Sequence, residues 1–354
     1  MLRDAVTGNR DGCGTCTTQH YQLFNGDPLA GPLCGYLLVR IFIAGATGVL
    51  GRRLVQHFAS RGDEVVGLAR DDEGTRTVAA LGDRPARADL FDTRSLARAA
   101  EGAEVVIHAA TAIPLAGRGL EAWAVNDRIR REGTQALTRA AVLVGARRYL
   151  QQSVVWVTRG TRNAPATEST RPTPSDVVAS AVAGEEIALT AGKRYGFSVR
   201  VIRAGGFYAP DAVHTRMLAE LLRVRRLPIV GAGDNTFAPI HADDVAAAFV
   251  AAAPVETTRI WHIVDDGPLP FGDFLRRFAR ILGAPEPRRV PVWLARLAAG
   301  RIAVEMATAP MHTFNHKARR ELGWAPRYST IDEGLPAVVE AWRGEGTVSM
   351  RAAA

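Results

Sequence analysis

VRIFIAGATGVLG, residues 39–51, is the stretch whose reading decides the fold. Val39, Ile41, Phe42, Ile43 and Ala44 make a short apolar run, rich in β-branched residues and closed by glycine. Such a run is the pattern of a strand buried on both faces of a parallel sheet. Glycines then fall at 45, 48 and 51, and Leu50, Leu54, Val55 and Phe58 follow at helical spacing. The stretch therefore reads as strand, glycine turn and helix. That geometry suits a pyrophosphate: Gly45 for the tight turn, Gly48 for close backbone approach, Gly51 for close packing of helix on strand. The helix N-terminus then faces the anion.

Outward from this point, strands and helices alternate at the spacing of a doubly wound sheet. Asp63 to Arg70 reads as strand two. An acidic residue at the end of that strand takes a ribose 2′-hydroxyl, whereas arginine accommodates a 2′-phosphate. Arg70 stands there, which favours NADP over NAD, with Asp71 and Asp72 just beyond as the counter-signal and Arg52 as a second positive contact. Asp89 follows strand three, where it can accept from an adenine amino group. Ala103 to Thr111 forms a strand ending in the small residues Ala109, Ala110 and Thr111, past which a cofactor can run. Val125 to Arg147 reads as a long amphipathic helix, followed by a fifth strand ending in Ser153.

Composition sets the limits. The chain of 354 residues is 47% hydrophobic and 23% charged, ordinary for a globular protein. Its net charge of +8 comes from scattered arginines, with only Lys193 and Lys317 as lysine. Without a basic run or interleaved aromatics, this argues against nucleic acid as partner and for a GC-rich coding bias. No apolar run has the roughly 18 residues of a membrane span, and no secretory signal is recognisable. The expected location is cytoplasmic and the expected partner a small-molecule substrate; nothing readable encodes an oligomeric state.

Residues 1 to 37 are polar, glycine-rich and aperiodic, and hold Cys13, Cys16 and Cys34. They read as a disordered leader or a translated upstream stretch, with Val39 where an initiator would stand. The competing reading is a metal site of Cys13, Cys16, His20 and Cys34, disfavoured for want of a second close ligand pair; the expectation is no metal.

The ordered motifs GATGVLG (45–51), ADL (88–90), HAA (108–110), VN…GT (125–134), the strand ending in Ser153, RAGGFYAP (203–210), PIHADDVA (239–246) and ELGWAPRYS (321–329) resemble the extended or atypical short-chain dehydrogenase/reductase superfamily, with the NAD-dependent epimerases and dehydratases. The resemblance covers residues 39 to 343. It implies an α/β Rossmann doubly wound parallel sheet with a smaller C-terminal substrate lobe. The cofactor domain would run over 38–205, with 239–264 returning to it; the lobe would comprise 206–238 and 265–343, and 344–354 would fray. It also implies that Gly45, Thr47, Gly48, Val49, Leu50 and Gly51 cradle a pyrophosphate and that Asp89 and Leu90 border the adenine. Ala109, Ala110 and Thr111 would run beside NADP or NAD.

The chain departs from the family in its catalytic pair. Family enzymes carry Tyr-x-x-x-Lys on the helix after strand five, and those positions fall here on Val177 and Ala181. The conclusion does not rest on that count, because Leu189 and Thr313 stand four residues before the two lysines. Two classes of function remain. One is an NADPH-dependent oxidoreductase whose Ser153 orients the substrate oxygen and whose proton comes from Asp176, Tyr208, water or a substrate needing little acid help. The other is a nicotinamide-nucleotide-binding sensor without catalysis. Asp176 also suits a helix N-cap after Pro172-Thr173-Pro174.

Overall fold

The computed structural model describes residues 39–115 and 119–352. The leader reading of 1–37, and Cys13, Cys16, His20 and Cys34 within it, lie outside the described residues. Strand β1 (Arg40–Ala44) is buried over its last four residues and passes through Gly45, at φ +92°, into α1 (Val49–Ser60). Leu50, Leu54, Val55 and Phe58 form the buried stripe of α1, so the spacing of apolar residues sets which face meets the sheet. Around β1 the sheet grows by parallel pairing. Its strands are β2 (Glu64–Ala69), β3 (Arg84–Arg87), β4 (Val105–His108), β5 (Arg148–Val154), β6 (Ser198–Ala204) and β7 (Arg259–Ile263). Their spatial order is β7-β6-β5-β4-β1-β2-β3, so the direction of winding reverses between β1 and β4. In such sheets ligands bind above the carboxyl ends of the strands at that reversal.

Helices cover both faces. On one, α1 and α8 (Ala242–Ala252) enclose Ile41, Ile43, Ile107, Leu150, Ile202 and Ile263. On the other, α3 (Thr93–Ala99), α5 (Thr134–Leu143) and α6 (Ala179–Tyr195) cover Phe42, Val66, Val106, Tyr149 and Val201. A third core gathers α7 (Val213–Arg223), α9 (Phe271–Ile281) and α12 (Ile331–Ala352) around Phe237, Phe274, Phe278 and Leu335. These are the elements of the expected lobe. With them are α10 (Val292–Thr308), broken at Gly300, and the short α11 (His316–Leu322).

Several boundaries differ from expectation. α12 continues nine residues past 343, to Ala352. The expected long helix from Val125 is three pieces: α4 (Ala124–Arg128), a π-turn at Ile129–Gly133, and α5. Pro239–His241 pairs with Gly206–Tyr208 in a separate two-stranded ladder, while Arg259–Ile263 joins the main sheet. At the start of α8 the His241 ring is the cap and accepts from the Asp243 N–H. Asp244 accepts from the Arg327 and Tyr328 N–H groups, tying the C-terminal segment down.

Candidate cofactor and substrate site

The glycine loop fits a phosphate-bearing ligand for reasons visible in the backbone. A Cβ on Gly51 would lie 1.9 Å from the Gly45 carbonyl oxygen, and one on Gly45 would lie 2.5 Å from the Ala110 nitrogen. Both contacts are with backbone that cannot yield, so glycine is required at each. At Gly48 a Cβ would meet one atom, the Gly45 carbonyl oxygen, at 3.3 Å, and the residue itself is exposed to an incoming group. Gly48 is also the N-cap of α1 and supplies no side chain. The first N–H groups of a helix have no partners within it, so an uncapped start offers them to an anion.

The neighbouring elements converge on this loop. The first turn of α2 (Asp72–Ala80) touches it, a Cβ on Gly74 being 3.3 Å from Thr47 Cγ2. Arg70, just before it, is 94% exposed and faces the Asp71 carboxylate at 3.5 Å. Asp71 itself caps α2 by accepting from Gly74 N–H, and Asp72 pairs with Arg87 at 2.8 Å. Both acidic neighbours of Arg70 thus have other engagements. Asp89 is exposed, its Oδ1 accepting from Phe91 N–H, and Leu90 lies against Gly133. Ala109 is buried and Thr111 exposed. The chain beyond is fixed by Ala112 N–H donating to Asn126 Oδ1 at 3.0 Å.

Arg52 is not a free second cation. Its Nη1 donates to the Thr47 carbonyl at 2.7 Å and its Nη2 to Asp211 at 2.6 Å. Burial works against ionisation of Asp211, but Arg53 and Arg52 hold its carboxyl down to about 2. The pairing ties the glycine loop to the loop before α7.

The two proposed catalytic groups are placed differently from expectation. Ser153 is 2% exposed and its hydroxyl donates to Glu185 on α6. Glu185 in turn is held by Arg203 through two bonds, 2.9 Å from Nε and 2.6 Å from Nη2. Arg203 Nη1 reaches His262 Nε2 at 3.5 Å, His262 Nδ1 donates to Thr313 at 2.6 Å, and Thr313 donates to the Ala166 carbonyl at 2.8 Å. Because Thr313 spends its proton on Ala166, His262 must carry its own on Nδ1. Burial, then the charges of Arg203 and Lys317, lowers His262 to about 3 and keeps it neutral. The serine is therefore one end of a buried structural chain. Asp176 neither caps α6, which begins at Ala179, nor is buried. It is 57% exposed and pairs with Arg301 at 2.8 Å. The structure does not bring the two together.

Val177 and Ala181, where a tyrosine and lysine were sought, are buried in an apolar cluster with Trp123, Val157, Val178 and Ile302. Beside it, Trp156, Val177, Val178 and Met306 line a cleft that also contains Arg159 and Glu305. Phe207 packs against the core under α1 and α8 and against His214. Tyr208 is buried against His241, which packs in turn at a tilt against Tyr328. Burial, followed by the nearby Asp265 and Asp244 charges, raises the Tyr208 phenol further above its ordinary range, opposite to the need of an acid catalyst. Among the described residues no cluster of His, Cys, Asp and Glu is arranged to hold a metal, and no helix is long and apolar enough to cross a membrane.

Fold and glycine site together define a dinucleotide-binding Rossmann protein. Comparison with known proteins gives the family: residues 41–263 match the model of the NAD dependent epimerase/dehydratase family, and the chain belongs to that family. It is 35% identical over 311 residues to a 3-diazoavenalumate denitrifying reductase of a Streptomyces species, covering 84% of this chain and 99% of that one. It is 30% identical over 306 residues to a ceramide reductase of Caulobacter vibrioides, covering 84% and 89%. Among solved structures, a dTDP-glucose 4,6-dehydratase of Streptomyces venezuelae with NAD bound superposes with a TM-score of 0.71 at 24% identity, covering 86% and 97%. The chain is accordingly an NAD(P)-binding enzyme of oxidoreductase type, one of a family of reductases, epimerases and dehydratases.

Proposed function

We propose that the chain is an NADPH-dependent reductase of an electrophile that accepts hydride without a proton, with an arene diazo group as the leading class. The observation that carries this is the apolar burial of Val177 and Ala181, with Ser153 committed to Glu185 and Asp176 paired on the surface. A ketone accepting hydride becomes an alkoxide and needs an acid, whose help is typically worth about 10²–10⁴-fold. An aryl diazonium ion needs none. Hydride forms an N–H bond at its terminal nitrogen; the resulting diazene then gives up that N–H proton as the C–N bond breaks with loss of N2, and the arene carbon takes up one proton. Atoms and charge balance with one hydride, and no net proton is consumed. The Streptomyces relative, named for denitrifying reduction of a diazo compound, supports the same choice.

The bound reduced dinucleotide supplies the hydride. The protein's part is positional. The uncapped start of α1 and Gly48 hold the pyrophosphate, and Arg70 selects the 2′-phosphate. Trp156, Val177, Val178 and Met306 form an apolar wall that keeps water from the electrophile. For Arg70, a charge-assisted contact of about 1.5–3 kcal/mol corresponds to roughly 10- to 150-fold preference for NADPH over NADH. Fluorescence titration of both, with Arg70→Ala, measures it; equal affinities reject the assignment.

The chemistry is tested with 4-deuterated NADPH and an arene diazonium salt, against a cofactor-only control. The expected result is enzyme-dependent release of one N2 and one arene per NADPH oxidised, with loss of the C4 deuterium from the cofactor. Turnover should persist in Ser153→Ala and Asp176→Asn at matched folded protein. Faster reduction of ketones or enones would replace this reading with a carbonyl reductase. Tight cofactor binding with no hydride transfer to either class would favour the sensor.

A further inference from the structure

Arg130 is a buried arginine without a partner. Its residue is 6% exposed, its Nη1 has no hydrogen bond, and its side chain forms no ion pair with any described residue. Burial lowers it to about 10, against the opposing charges of Asp127 and then Glu185, so it remains a cation at neutral pH. Glu185 is already taken by Arg203 and Ser153, and Asp127 Oδ1 is itself unpartnered. A native fold rarely leaves such a group unmatched, because an unpaired buried charge costs several kcal/mol.

The location indicates what matches it. Arg130 lies in the π-turn Ile129–Gly133, and such bulges occur frequently at functional sites. Its carbonyl lies against α6, 2.9 Å from where a Cβ on Gly184 would be, and its charge acts on His108, the last residue of β4. On the same face of α6, one turn before Glu185, stands the short side chain of Ala181. Other buried polar atoms in this region are orphaned too: Asn126 Nδ2, His108 Nδ1 and Gln152 Oε1. All belong to α4, the π-turn or the carboxyl ends of β4 and β5. A dinucleotide that places its adenosine half by β2 and its pyrophosphate on α1 crosses the reversal point and lays its second nucleoside over this side of the sheet.

We infer that Arg130 is a binding residue for the nicotinamide half of the cofactor, its guanidinium donating to the ribose hydroxyl oxygens of that nucleoside. Gly184 lets the π-turn pack directly on α6, which holds the arginine near Glu185 and the carboxyl end of β4. The inference rests on dinucleotide binding and is independent of which electrophile is reduced.

Arg130→Met and Arg130→Lys in the full chain test it by equilibrium binding and melting. NADPH is compared with 2′-phosphoadenosine 5′-diphosphate, which lacks the second nucleoside. Loss of a charge-assisted bond should weaken NADPH binding by Arg130→Met about tenfold. The fragment should bind as to the wild type, the ligand-free melting temperature should not fall, and Arg130→Lys should recover part of the NADPH affinity. Equal weakening of both ligands, or a lower melting temperature without discrimination between them, would make Arg130 structural and overturn the inference. Unchanged NADPH affinity would overturn it as well. A wild type that binds neither ligand would remove the dinucleotide reading itself, and this inference with it.

Discussion

Removing Arg203 is the sharpest test of how the sheet edge beneath the site is held. Arg203 on β6 and Glu185 on α6 each have side chains 3% exposed, joined by two charge-assisted bonds of 2.9 and 2.6 Å. In Arg203→Met the carboxylate keeps only the Ser153 hydroxyl, and His262 Nε2 loses its donor. Breaking a buried pair from one side costs about 3–5 kcal/mol, because the stranded charge stays desolvated. At about 2–4 °C per kcal/mol the melting temperature should fall by roughly 6–20 °C. In Arg203→Met/Glu185→Met both charges are gone and the volume is kept, so most of the stability should return. Urea unfolding followed by tryptophan fluorescence at pH 5.5 and 8 measures all three proteins. A loss below about 1 kcal/mol in the single variant, or a double variant no better than it, would refute the reasoning.

Gly51→Ala and Gly48→Ala should separate folding from binding. The first forces a methyl to 1.9 Å from the Gly45 oxygen and should lower the melting temperature as well as dinucleotide affinity; the second meets it at 3.3 Å and should stay folded while binding at least tenfold more weakly. Equal melting temperatures would contradict this. Asp265→Asn should stabilise the protein at alkaline pH. Asp265 is 1% exposed with Oδ2 unpartnered, and burial, reinforced by Asp266, Asp244 and Glu333, raises its carboxyl to about 8. A raised folded value means the group's contribution is complete below about pH 4 and is lost as pH climbs through about 8. The variant's advantage should thus be on the order of 2–5 kcal/mol at pH 9 and vanish near pH 4, read from denaturation midpoints. Ser153→Ala should cost about 1.5 kcal/mol of stability with kcat unchanged; a large fall in kcat at full folding would restore the serine to the reaction.

The parts of the site made by neighbouring residues were legible in the sequence. β1, the glycine loop and α1 follow from a continuous apolar run, three glycines and one helical stripe, all within local spacing. Side-chain commitments across the fold were not legible. Ser153 meets Glu185 across 32 positions and Arg52 meets Asp211 across 159, and no local pattern announces either. A serine at a strand end reads the same whether it faces a cleft or a buried carboxylate. Asp176 has good capping chemistry after the prolines, yet the helix begins three residues later at Ala179, because a cap sequence alone does not fix where the first turn closes.

Arg130 went unnoticed although its signal is present. In the helical run from Ala124, positions 126, 130, 133, 134 and 137 are buried at the spacing of a core-facing stripe, which Ala136, Thr138, Ala140 and Ala141 widen further on. The residues there are Asn126, Arg130, Gly133, Thr134 and Leu137, so the face meant for the core is polar at its first turns and apolar only further on. Read as periodicity alone, the segment is an amphipathic helix of ordinary kind. Read by what occupies the stripe, it places an amide and a guanidinium inward where leucine or alanine would pack. Thr134 satisfies its own hydroxyl on the Arg130 carbonyl at 2.7 Å, and Asn126 uses one atom on the chain after β4. The guanidinium has no such local outlet. Inward polar residues that the fold does not itself satisfy are the sequence's trace of a ligand, and here they point to the half of the dinucleotide site that the glycine loop does not reach.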